Sequence, residues 1–193
     1  RNAMASLLNY TPELGQAVRD GEDKTDHYED ILGTYLVKLS SRQMGNRESA
    51  EAAKLLKVIG DFERISDHSV NILESAEELR EKELSLSPAG RKELETLCNA
   101  VSEILTLSLT AFVHNDLKAA RDVEPLEQVI DGLKAQMRNN HISRLKNGEC
   151  SIEVGFVWAD LLTNLERTAD HCSNIAIAVL ESVDSSLQAH GYL

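Results

Sequence analysis

The sequence predicts an all-α fold, an antiparallel bundle of long helices. Glycine and proline are scarce, 10 and 3 among 193 residues, and aromatics make up 4%, too few turn and strand formers for a sandwich or barrel. A hydrophobic share of 42% supplies a core and argues against a disordered chain. Apolar residues also recur at spacings of three and four through five long windows parted by short polar breaks, as in helices that turn back on one another.

Residues 1–10 read as a vector remnant of three residues, set aside from the fold argument, and a helix stub from Met4 to Tyr10. Thr11-Pro12-Glu13 starts the first long helix: a capping hydroxyl, a proline where no helical N–H is needed, and an acid at the positive end of the helix. Leu14, Val18, Tyr28, Leu32, Tyr35 and Leu39 then predict one buried stripe to about Gln43. A second helix over about 46–82 places Leu55, Val58, Phe62, Ile65, Ile72, Ala76 and Leu79 on a seam. Ser87-Pro88 opens a third, to about His114. After an Asn115-Asp116 break, a fourth carries Val123, Leu126, Ile130, Leu133 and Met137 and stops at Asn147-Gly148. The last, about 151–188, is seamed by Trp158, Leu161, Leu165, Cys172, Ile175 and Val179.

Charge and motifs narrow the function. Acids outnumber bases 32 to 20, a net charge of −12, so nucleic acid is repelled and is not an expected partner. Cys98, Cys150 and Cys172 form no C-x-x-C pair and read as reduced core thiols in a cytoplasmic setting. The longest nearly apolar run, 104–113, is about half of a membrane span. There is no glycine-rich phosphate loop, no G-x-S-x-G elbow, no H-E-x-x-H, and no Glu-x-x-His of the di-iron bundles, so an enzyme is not expected.

The chain also repeats itself. Residues 61–72 (DFERISDHSVNI) and 164–175 (NLERTADHCSNI) share six of twelve positions at an offset of 103. Glu22 and Asp26 lie 41 residues before Glu63 and Asp67, and Glu127 and Asp131 lie 39 before Glu166 and Asp170. Each half thus holds two helices with a Glu-x-x-x-Asp pair in the same order. Two repeats follow, 11–83 and 88–189, the second with an extra leading helix that the first retains only as a stub.

The four acid pairs share one phase. Each glutamate follows a seam position (Gly21, Phe62, Leu126, Leu165), so every pair flanks the buried stripe by about 100°. Paired helices can gather such flanks into acidic clusters, whose repulsion a bound cation would cancel; all-carboxylate sets suit hard ions. A solvated acidic face is the alternative. Asn71 and Asn174 extend the stripe, while Asp61 and Asn164, two residues before each glutamate, point elsewhere. Arg64 and Arg167 read as i+3 ion-pair partners of Asp67 and Asp170, and His68 and His171 as satisfied interhelical histidines.

These stretches, KVIGDFERISDHSVNI (57–72) and LLTNLERTADHCSNI (161–175), each preceded by a Glu-x-x-x-Asp helix, resemble the PhoU family of phosphate-uptake regulators. GTYLVKLS (33–40) resembles more closely the PhoU-like domain at the C-terminal end of bacterial sodium/phosphate cotransporters. The resemblance implies two tandem three-helix units, the first helix of the first shortened, with metal clusters on the bundle surface. The ions would be iron, or magnesium, manganese, calcium, zinc or nickel. Carried over by position, the ligands are Glu22, Asp26, Glu63 and Asp67, then Glu127, Asp131, Glu166 and Asp170; Asp30 extends the first set, and its counterpart Ala135 does not. It further implies control of phosphate transport from the cytoplasmic face of the inner membrane, through a transporter domain of the same chain or a phosphate transport system. The shortened first unit implies an exposed groove open to homodimerisation. A metal-free helical interaction module is the competing reading.

Overall fold

Six helices account for the structure, a computed structural model that describes residues 1–40 and 44–190, with the backbone alone at 46, 47 and 183–190. They are α1 (Asn2–Leu8), α2 (Pro12–Ser40), α3 (Asn46–Glu81), α4 (Pro88–His114), α5 (Leu117–Lys146) and α6 (Ile152–His190). Their starts are set by local chemistry. Thr11 Oγ1 accepts from Leu14 N at 3.2 Å, and Ser87 Oγ from Gly90 N at 3.1 Å. Asp116 Oδ1 takes both Lys118 N and Ala119 N, and the Glu48 carboxylate reaches back to Gly45 N. Between α4 and α5 the chain reverses through Asn115 in the left-handed region, φ 50°, which asparagine tolerates. The predicted end of the first long helix near Gln43 lies outside the described residues.

The helices form two three-helix units, α1–α3 and α4–α6, joined along α3 and α6. Leu97, Ile104, Val123, Ile130, Leu161, Leu165, Cys172 and Val179 are sealed in one core, which also takes Ile72 and Leu73 from α3. Phe62 meets Phe112 edge-on at 5.1 Å and ties the first unit to α4. Burial pushes the Cys98 and Cys172 thiols up to about 12, as expected of unreactive core thiols.

The α3–α6 seam carries the duplication into three dimensions. His68 Nδ1 donates to Asn164 Oδ1 at 2.9 Å, and Asn71 Nδ2 donates to the same oxygen at 3.0 Å. In mirror order His171 Nδ1 and Asn174 Nδ2 donate to Asp61 Oδ1 at 2.8 and 3.0 Å. The two imidazoles stack between these sets with centroids 5.6 Å apart. Asp61 and Asn164 are therefore cross-repeat acceptors, and the two histidines are satisfied between helices.

Three expectations need correction. The first three residues belong to the fold: α1 starts at Asn2, and Ala3 is 2% exposed against the core. The predicted stripe of α2 holds for Val18 but fails further on, where Tyr28, Leu32 and Tyr35 are 60, 45 and 59% exposed. The α1 residues Asn2 and Ala3 pack near Gly21 and Thr25, so among the described residues no first-position helix covers the part of α2 beyond them. Finally, α4 is long and apolar enough by length and composition to cross a membrane. Its Leu94, Leu97, Val101, Ile104 and Ala111 are instead buried against neighbouring helices, as in the core helix of a bundle.

Candidate metal centre

The eight predicted ligands lie where helix geometry puts them, in i, i+4 pairs on α2, α3, α5 and α6. The second unit draws its acids closest. Glu127, Asp131 and Asp170 each present a carboxylate oxygen, and these atoms all lie within 4.8 Å of one another at the bundle surface. Burial and crowding show in the protonation of Glu127 and Asp170. Partial burial pushes Glu127 above the usual carboxylate range, and the charges of Asp131, Glu124, Asp170 and Glu166 push it further. Asp170 is raised in the same way, by burial and then by Glu166, with Arg167 opposing.

The fourth acid of the second set behaves differently. Glu166 is claimed by the Lys134 ammonium at 2.7 Å and stands outside the close trio. In the first unit Glu22 is raised by burial and by Asp23, Asp67 and Asp26. Glu63 is raised by burial, by the Asp67 charge and by a hydrogen bond with Asp67 that favours its protonated form. Arg64 bridges that pair, 3.2 Å from Asp67 and 3.5 Å from Glu63, while Arg167 stands 3.9 Å from Asp170. These acids feel one another, but among the described residues no first-unit trio is as close as the one in the second.

Sequence reasoning missed Lys134, although a signal was present. A shift of 105 residues superposes Glu22 on Glu127 and Asp26 on Asp131, and it also places Glu29 on Lys134. Glu29 adds negative charge around Glu63, whereas Lys134 removes it around Glu166. The two clusters thus differ in charge by design of one position. Their donors are all hard oxygens with surplus negative charge, so the trio fits a hard divalent or trivalent cation and lacks the sulfur and imidazole of a structural zinc site.

Fold and site together define a class: a helical protein of two tandem three-helix repeats that display paired acids on one flank. The sequence model of the PhoU domain matches residues 1–76 and 94–179, and the chain belongs to the PhoU family. The chain is 29% identical over 180 residues to "Phosphate-specific transport system accessory protein PhoU homolog 1" of Thermotoga maritima, covering 93% of this chain and 77% of that one. It is 23% identical to "Putative inorganic phosphate export protein YjbB" of Salmonella typhimurium, covering 98% of this chain but only 35% of that protein. The crystal structure of PhoU from Pseudomonas aeruginosa superposes with a TM-score of 0.86 at 23% identity, over 95% of this chain and 87% of that one, a likeness of fold.

Proposed function

We propose that this chain regulates phosphate transport through contact with a membrane transport protein and holds hard metal ions on its acidic flank, without catalysing a reaction. The observation that carries the metal reading is the convergence of Glu127, Asp131 and Asp170, with the proton affinity of Glu127 and Asp170 raised by burial and then by neighbouring acids. Glu127, Asp131 and Asp170 would hold the ion; when bound it supplies positive charge that the three carboxylates lack. The phosphate reading is supported by the relatives, which carry phosphate-transport names. In the finer form of the proposal the chain is a cytoplasmic domain of a sodium/phosphate cotransporter at the inner membrane. Its support is that the match fills only a third of the longer export protein. The exposed Tyr28, Leu32 and Tyr35 stripe supports a homodimer.

Elemental analysis and calorimetry with Mn²⁺, Mg²⁺ and Fe²⁺ test the metal reading. The proposal expects saturable binding that Asp131→Asn with Asp170→Asn removes while the helical circular dichroism persists. Absence of binding after reloading would overturn it. One observation favours the metal-free reading: Lys134 already neutralises part of the second cluster. That reading expects the same double variant to gain stability in every buffer and to show no response to metal. Sedimentation of the wild type against Leu32→Ser tests the dimer.

A further inference from the structure

A trough runs between the C-terminal part of α5 and the N-terminal part of α6, with a volume of about 520 Å³. It lies on the side of these helices turned away from α4. Asn140 and Arg144 of α5 reach Glu93 on α4, whereas Arg138, Ile142 and Leu145 line the trough. Gly155 lets the two helices close up at its floor, since a Cβ there would stand 2.9 Å from His141 Nε2. On the α6 wall Ile152 and Phe156 are 67 and 69% exposed, one helical turn apart.

We propose that this trough is a docking site for an amphipathic helix of a partner protein that carries acidic residues at the end over Arg138. Three features select that occupant. The trough is apolar in most of its lining and about three helical turns long, from residue 134 to residue 145, which suits a helix laid along a groove. Its charged residues are Lys134 and Arg138, both cationic, on a chain of net charge −12. Arg138 is exposed and has no ion pair among the described residues, while Lys134 is held by Glu166. Thirdly, two buried side-chain nitrogens without a hydrogen bond among the described residues, His141 Nε2 and Trp158 Nε1, belong to residues that line the trough. Both atoms are themselves buried, so they mark a loosely satisfied floor, and the occupant is selected by what the trough exposes, Ile152, Phe156 and Arg138.

The chemistry sets the expected behaviour. Apolar side chains of the incoming helix cover Phe156 and Ile152, while its acids meet Arg138, which fixes orientation and raises the association rate. The docking reading stands apart from the metal reading, because no ligand of the trio lines the trough.

The test uses the full chain and a synthetic alanine-rich helix of about 14 residues, matched to the trough length, with leucines at i, i+3, i+4 and i+7 and two glutamates at one end, made in both sequence directions. Trp158 is the sole tryptophan and lines the trough, so its fluorescence reports binding, with calorimetry alongside. The acidic peptide is expected to bind about tenfold or more tightly than a version with lysines in place of the glutamates. Phe156→Ser, an exposed change that leaves the fold intact, is expected to weaken it by a similar factor. Arg138→Glu is expected to reverse the preference between the two peptides. No saturable binding by about 1 mM would overturn the proposal, as would binding indifferent to both substitutions. A trough that takes up dodecanoate or anionic phospholipid vesicles in preference to the peptide, or a dimer that Phe156→Ser dissociates, would also overturn it.

Discussion

Replacing Asp170 by Asn keeps the side chain's shape and removes one charge from the close trio. At 4.8 Å, the outer limit of its spacing, a like-charge pair costs about 0.9 kcal/mol in water and about 3.5 at an effective dielectric of 20. Asp170 is about a third exposed, so the lower end applies to its pairs with Glu127 and Asp131, while its repulsion with Glu166, the largest charge acting on it, is partly offset by the Lys134 ion pair on Glu166. Against that relief stands the loss of the 3.9 Å pair with Arg167, which contributes about 0–1 kcal/mol. The net expectation is an apo protein more stable by about 1 kcal/mol, or about 2–4 °C in melting temperature for a chain of this size. In about 1 M salt, where the screening length is about 3 Å, the gain should fade. If the intact trio holds the ion as proposed, added Mn²⁺ should raise the melting temperature of the wild type and leave the variant nearly unmoved. Thermal unfolding in chelator, in Mn²⁺ and in high salt reads all three effects. An apo variant less stable than the wild type, or equal metal responses, would refute the reasoning.

Other expectations follow from the same contacts. Glu22, Glu63, Glu127 and Asp170 bind protons more readily folded than unfolded, so the apo protein should gain stability as pH falls from their raised values toward about 4. Metal affinity should fall over the same window, since protons and the cation compete; denaturant melts and calorimetry at several pH values check both signs. Arg144 is buried over Trp158 and forks onto both oxygens of Glu93 at 2.9 and 2.8 Å. Arg144→Met should cost about 3–5 kcal/mol by stranding that carboxylate, and adding Glu93→Gln should restore part of it in a double-mutant cycle. Ser87→Ala removes the cap on Gly90 N and should cost about 1 kcal/mol in a denaturant melt.

How much of this was legible in the sequence depended on whether the deciding interaction was local. Helix α4 starts at Pro88 and ends at His114, as Ser87-Pro88 and Asn115-Asp116 foretell, because caps and breaks act within a few residues. The reading of His68 and His171 as satisfied interhelical histidines holds, whereas Asn71 and Asn174, expected to extend the acidic stripe, instead bond Asn164 and Asp61 of the opposite repeat. What failed was non-local. Tyr28, Leu32 and Tyr35 have the spacing of a buried stripe, but burial needs a neighbour, and α1 is too short to cover them. Helix α1 was legible only as a stub from Met4, because Arg1 to Ala3 read as a vector remnant although Asn2 opens the helix and Ala3 packs in the core. In the site, i, i+4 spacing put the acids on one flank, yet it could not say that Lys134 would reach across from α5 to Glu166. Only comparison of the two repeats at Glu29 and Lys134 exposes that difference before the structure is seen.

The central claim is that helix geometry gathers carboxylates into a seat for a cation. Anomalous diffraction from a crystal soaked in Mn²⁺ addresses it directly. The account predicts a peak at coordination distance, about 2.0–2.6 Å, from oxygens of Glu127, Asp131 and Asp170. A map with no peak there, at full soaking and with the three carboxylates well ordered, would contradict it.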